Sequence, residues 1–251
     1  MFKRLAAMLG AAAILAMAAP SYAATTLSVL AQPIAQSSLE ELIASYEKSH
    51  PDVRVHVDYA ASGVTLAQIK NGAPIDLVFL PDLLVAKESA LFDESALAFQ
   101  THTEIIVSKQ SASKIHTPKD LGNKGIRLGG GTAGSVVEGF QTKMLTNLER
   151  TFGPDLAARY KANVVTTNSI STVFHKQIDD DLIDAAIVVA AGIPAGKYVV
   201  LSVPPDAPVI NKYFVAIVKA SKNAGAAKDF MAYVIGAAAQ PVWKSHQFDN
   251  K

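Results

Sequence analysis

Leu39, Leu42, Ile43 and Tyr46 recur at i, i+3, i+4 and i+7, which puts four apolar side chains on one face of a helix. Just upstream, Ser37 and Ser38 each stand three residues before a glutamate, Glu40 and Glu41, the spacing of a capping box. Over 53–60 the period drops to two, with Val53, Val55, Val57 and Tyr59 alternating with Arg54, His56 and Asp58. That alternation predicts a strand with one covered face. The apolar runs 75–80 and 185–190 predict strands buried on both sides. Further strands are predicted over 26–31, 104–108, 125–128, 163–167, 199–203 and 212–219. Helices are predicted over 64–71, 82–91, 171–179 and 224–243, the last broken or kinked near Pro241. Ser135 and Glu138 form a second capping box, opening a helix whose Val137, Phe140, Met144 and Leu148 face inward. Strands alternating with helices predict an α/β fold with mostly parallel sheets.

In such sheets ligands bind beyond the carboxyl ends of the strands, where the following helices aim their N-termini. Four strand-to-helix junctions share one character here: 31–37, 61–63, 129–135 and 166–172. Three are rich in Ser, Thr and Gly, and none holds a Lys, Arg or His before its helix begins. A helix N-terminus carries unpaired N–H groups and about half a positive charge, and hydroxyls add donors. Several such ends meeting would hold a small anion by neutral dipoles alone. Taken singly, each Ser or Thr is equally well an ordinary helix cap.

Composition narrows the field. The chain has 251 residues, enough for one large or two small domains, and is 50% hydrophobic with 18% charged. The 23 basic and 22 acidic residues leave +1, so no basic surface recommends a nucleic-acid partner. With no cysteine, thiol catalysis, disulfides and Cys-ligated metals are excluded. Residues 1–23 read as a cleaved export signal: Lys3 and Arg4, the apolar stretch 5–19, then Ser21-Tyr22-Ala23. Its removal takes two cations and shifts the net charge from +1 to −1. The longest later apolar run, 185–195, is too short to span a bilayer, so the mature chain is expected to be periplasmic, without a membrane span, and a monomer.

Catalytic patterns are weak. The glycine run 129–134 follows a predicted strand, but no P-loop lysine comes after it. Asp179-Asp180-Asp181 reads as a solvated helix end rather than a metal site. A serine hydrolase built on Ser62 or Ser135 lacks a G-x-S-x-G elbow and a positioned base. No catalytic residue, metal or cofactor is assigned.

Tyr59-Ala60-Ala61-Ser62-Gly63, followed by Gln68-Ile69-Lys70-Asn71-Gly72-Ala73-Pro74-Ile75-Asp76-Leu77, resembles the periplasmic molybdate-binding proteins of ABC importers. In these a Ser-rich turn ends the second strand, and the next helix closes in Gln-Ile-x-x-Gly-Ala-Pro-x-Asp. The likeness extends through 185–189, 213–218 and 227–248. It implies a non-enzymatic type II periplasmic binding protein: two domains, 24–101 with 212–251 and 102–211, with crossovers near 100–103 and 208–212. The cleft between them would close on a tetrahedral oxyanion such as molybdate or tungstate, for delivery to the importer's permease. Carried over by position, the second-turn serine falls on Ser62, beside Gly63. The amide opening the long helix falls at Ser135 or Val136, and the contact before the next helix falls on Ser171. Two positions depart from the pattern. Ile34 stands where the family has a first-loop serine, and Val189 where it has a ligand-facing tyrosine. The departures leave a different small solute in the same clamp as the alternative.

Overall fold

A computed structural model describes residues 24–249; the leader predicted over 1–23 lies outside them. The chain runs β1 (Thr25–Ala31), α1 (Gln36–Ser49), β2 (Val53–Tyr59), α2 (Ser62–Lys70), β3 (Leu77–Pro81), α3 (Asp82–Lys87) and β4 (Phe92–Val107). It continues through β5 (Leu128–Gly131), α4 (Val136–Phe152), α5 (Leu156–Ala162), β6 (Val164–Asn168), α6 (Val173–Asp179), β7 (Ala185–Val189) and β8 (Val199–Val200). It returns in β9 (Ile210–Val218) and closes with α7 (Ala224–Ile235) and α8 (Gln240–Ser245).

The strands form one mixed sheet in the order β2-β1-β3-β9-β4-β7-β5-β6, with β8 paired to β4 off that path. Each arm is parallel, β2-β1-β3 on one side and β7-β5-β6 on the other. The middle is antiparallel, where β9 and β4 join the arms. β4 is the shared strand. Its residues up to His102 pair with β9, ending in Thr101↔Asn211 and His102↔Ile210; from Thr103 on it pairs with β7 instead. Two buried hydroxyls brace this change of partner: Thr101 Oγ1 accepts from the Ala191 amide at 3.2 Å, and Thr103 Oγ1 from the Val209 amide at 2.8 Å.

The cores follow the arms. On one face of the first arm, Leu39, Leu42 and Tyr46 of α1 pack with Phe230 of α7 and Trp243 of α8. Its other face is covered by Leu66 and Ile69 of α2 and Val85 of α3. The second arm has its own core, with Phe140, Met144 and Leu148 of α4 against Ile105, Ile106 and Ile187. Ile34 is half-buried and touches the cores of both arms.

Several local expectations are corrected. α1 has no capping box: Ala35 is its N-cap without a side-chain bond, Pro33–Ala35 forms a 3-10 turn, and Gln36 donates to Glu40 at 2.8 Å. The strand expected over 125–128 lies at Leu128–Gly131, so the glycines are strand residues and not the loop after it. A Cβ at Gly129 would sit 2.6 Å from the Phe174 ring, and one at Gly131 would sit 2.1 Å from the Glu138 backbone nitrogen. Close packing requires the glycines, and β-propensity then loses to it. β4 starts twelve residues before the strand expected at Glu104, because polar Asp93, Glu94 and Ser95 hide its first turn of pairing with β9. α5 was not expected; it buries only Leu156 and Tyr160, too few to show a period. The last helix ends at Gly236, and Pro241 lies in the first turn of a separate α8, where its missing N–H costs nothing.

Candidate functional site

One cavity of about 390 Å³ is lined from all four of the strand-to-helix junctions singled out in the sequence, three of them rich in Ser, Thr and Gly. The turn after β1 contributes Gln32 and Ile34, and the turn after β2 contributes Ser62 and Gly63. The loop after β5 contributes Gly134 and Ser135, and the turn after β6 contributes Ser169, Ser171 and Thr172. No lining residue carries an ionisable charge near neutral pH: Asp, Glu, Lys, Arg and His are all absent from it. The first two turns belong to one arm of the sheet and the last two to the other.

The donors follow from the helix starts. In α2 the Val64 and Thr65 amides donate to the Ala61 carbonyl at 2.9 and 3.1 Å, which leaves the first-turn amides of Ser62 and Gly63 without an intrahelical acceptor. Ser62 is 6% exposed, and among the described residues its hydroxyl has no protein partner. In α4, Ser135 is the N-cap; its Oγ accepts from the Glu138 amide at 3.1 Å, so its hydroxyl proton is free to donate elsewhere. The reciprocal half of the box is displaced by one residue, since Glu138 accepts from Gly134 and not from Ser135. The amides of Val136 and Val137 stand at the start of α4. Before α6, the Phe174 and His175 amides donate to the Ser171 and Thr172 carbonyls, and the Ser171 side chain is buried. Burial pushes the pKa of His175 down, so its ring brings no positive charge to this side of the cavity at neutral pH.

Of the expected contact positions, Ser62, Gly63, Ser135, Val136, Ser171 and Ile34 line this cavity. Val189 does not. It is 2% exposed in the core of the second arm, on β7 opposite Thr103. A tyrosine lines the cavity from elsewhere: Tyr213 on β9, its ring stacked on Phe99 at 4.9 Å. Burial, with the Asp82 charge nearby, pushes its phenol well above its ordinary pKa, so it is a neutral donor. Gln32 was also missed. It is 8% exposed, and its Nε2 is buried with no hydrogen-bond partner. Its junction was flagged by the sequence, but only contact with the cavity separates Gln32 from its neighbours; Tyr213 has no local signal at all.

Other candidates resolve into structure. The run 129–134 does carry the glycine spacing of a dinucleotide fingerprint, yet 129–131 lie inside β5 and meet side chains and helix backbone. The three aspartates at 179–181 pair with Lys197, Lys176 and Arg127 respectively, each at 2.6 Å. Among the described residues no group of three metal-ligating side chains comes together. Asp76, part of the most recognisable motif, is structural: its carboxylate accepts from the Ser28 amide at 2.9 Å, from Ser221 at 2.6 Å and from Asn223.

Comparison with known proteins agrees with this architecture. YvgL of Bacillus subtilis (strain 168), which carries the name of an ABC transporter substrate-binding lipoprotein, is 26% identical over 235 residues, covering 89% of this chain and 86% of its own. Among solved structures, the periplasmic molybdate-binding protein of Azotobacter vinelandii superposes with a TM-score of 0.72 at 20% identity, over 90% of this chain and 99% of that one. The sulfate-binding protein SubI of Mycobacterium tuberculosis H37Rv superposes with a TM-score of 0.74 at 19% identity, over 89% of this chain and 86% of that one. These share the type II periplasmic binding protein fold. Residues 27–249 match the family model described as bacterial extracellular solute-binding protein. The chain therefore belongs to the family of bacterial extracellular solute-binding proteins.

Proposed function

We propose that the protein captures a small oxyanion outside the cytoplasm, in the periplasm, and delivers it to the permease of an ABC importer. The observation that carries this reading is the meeting of four strand ends, three of them bearing Ser, Thr or Gly, drawn from both arms, around one cavity without charged side chains. Unpaired amides at α2 and α4 and free hydroxyls replace the water around an anion, and the helix dipoles supply the favourable potential. A fixed cation is not needed, so release to the permease is not opposed by an ion pair. The resemblance to molybdate-binding proteins, the solved molybdate- and sulfate-binding relatives and the name of YvgL all support it.

The working parts are two lobes, 24–101 with 212–251 and 102–211, hinged where β4 passes from β9 to β7. Each lobe supplies part of the donor set. The closed form therefore binds the anion better than the open one, and binding shifts the population toward it. The solute leaves unchanged, and the cavity's hydroxyls serve as donors rather than nucleophiles.

The test is a thermal-shift panel of molybdate, tungstate, sulfate and phosphate on the purified protein. A ligand at 100 times its Kd stabilises the native state by about 2.7 kcal/mol, or roughly 5–10 °C for a chain of this size. A panel in which no oxyanion moves the midpoint, while a neutral or cationic solute does, refutes the reading.

A further inference from the structure

The cavity holds more hydrocarbon than a bare tetraoxo anion can use. Molybdate or sulfate presents oxygen on every side, and each oxygen that leaves water without meeting a donor is costly. Yet Ile34, Leu66, Leu84, Val137 and Phe140 line the same cavity as Ser62 and Ser135. Ile34 stands on the turn where the related pattern has a hydroxyl.

From these we infer that the solute is an organic oxyanion, a single anionic head group carrying a short hydrocarbon substituent. This rests on the oxyanion reading above and narrows it. The head takes the hydroxyls and first-turn amides at Ser62, Gly63 and Ser135. The substituent lies against Ile34 and Leu84, where carbon facing carbon removes apolar surface from water. Ile34 and Leu84 set the specificity, while Ser62 sets the affinity for any head group.

The experiment holds the head constant and varies the tail. Binding of phosphate, methylphosphonate and propylphosphonate is measured by calorimetry, with molybdate and sulfate as the unsubstituted controls. Each added methylene that is buried should tighten binding about fourfold, so propylphosphonate should exceed methylphosphonate by about sixteenfold. Both residues are half-buried, and their truncations are modest. Ile34→Ala and Leu84→Ala should each cut that ratio to about fourfold or less, whereas Ser62→Ala should weaken both phosphonates and leave their ratio alone. If molybdate or phosphate binds and the tail series is flat, or if neither truncation changes the ratio, this inference is wrong and the oxyanion reading stands. If none of the five anions binds, both readings fail together.

Discussion

Ser62→Ala is the sharpest probe of the site, because Ser62 and Ser135 occupy neighbouring helix starts with different obligations. The Ser135 Oγ already caps α4 through the Glu138 amide at 3.1 Å. The Ser62 hydroxyl has no protein partner among the described residues, although the residue is only 6% exposed. Removing it therefore breaks no bond in the empty protein, and alanine is the better helix former at that position. The ligand-free midpoint should stay within about 1–2 °C of wild type, since changes of this kind stay within about 0.5 kcal/mol. With an anion bound, the same hydroxyl donates to a charged acceptor. Such a bond contributes about 1.5–3 kcal/mol, which predicts a Kd weaker by about 10- to 150-fold. Ser135→Ala loses both roles: about 1 kcal/mol of capping, or roughly 2–4 °C in the empty protein, on top of the loss in affinity. The assay is a thermal midpoint without ligand, followed by calorimetric titration with whichever panel anion stabilises most. A Ser62→Ala protein that loses as much ligand-free stability as Ser135→Ala but binds with unchanged Kd would show that Ser62 is a cap and that the donor assignment is mistaken.

Other outcomes follow from the same contacts. Asp76→Asn turns an acceptor of three donors into a group that must aim its own NH₂ at some of them; it should cost about 2–3 kcal/mol in denaturant unfolding with Kd unchanged. Gly131→Ala puts a Cβ 2.1 Å from the Glu138 backbone nitrogen, so α4 must move off β5; soluble yield should collapse, or a displaced helix should abolish binding as well. The His102 pKa is raised to about 9, chiefly by its hydrogen bond to Glu104 and, against an opposing contribution from burial, by Asp249. A raised histidine stabilises fully below its unfolded pKa of about 6.5 and loses that contribution as pH climbs through about 9. The midpoint of wild type should thus fall more between pH 6 and pH 9.5 than that of His102→Gln, and equal falls would refute the ion-pair reading.

Much of the architecture is local information. The four-residue apolar stripe of α1, the alternation of β2 and the unbroken runs of β3 and β7 each follow from which faces must leave water, and that periodicity is written in adjacent residues. The Ser, Thr and Gly content of the strand ends is equally local, and it already marked three of the four strand-to-helix turns that reach the cavity. The chain could not by itself reveal which of those turns meet, because they are separated by up to about a hundred and forty residues and are joined only by the sheet order. Packing between distant segments also overrode local preference at the glycines of β5, where Phe174 and the α4 backbone leave no room for a side chain. It buried Val189 in a core and brought Tyr213, from a strand near the other end of the chain, to the cavity in its place. Gln32 shows the same division: its type and turn are sequence facts, but the burial of its nitrogen without a partner exists only in the folded chain. Periodicity determines the elements because solvent acts on each residue in turn, whereas the site is a product of tertiary contact, since an anion must be surrounded and no single segment can surround it.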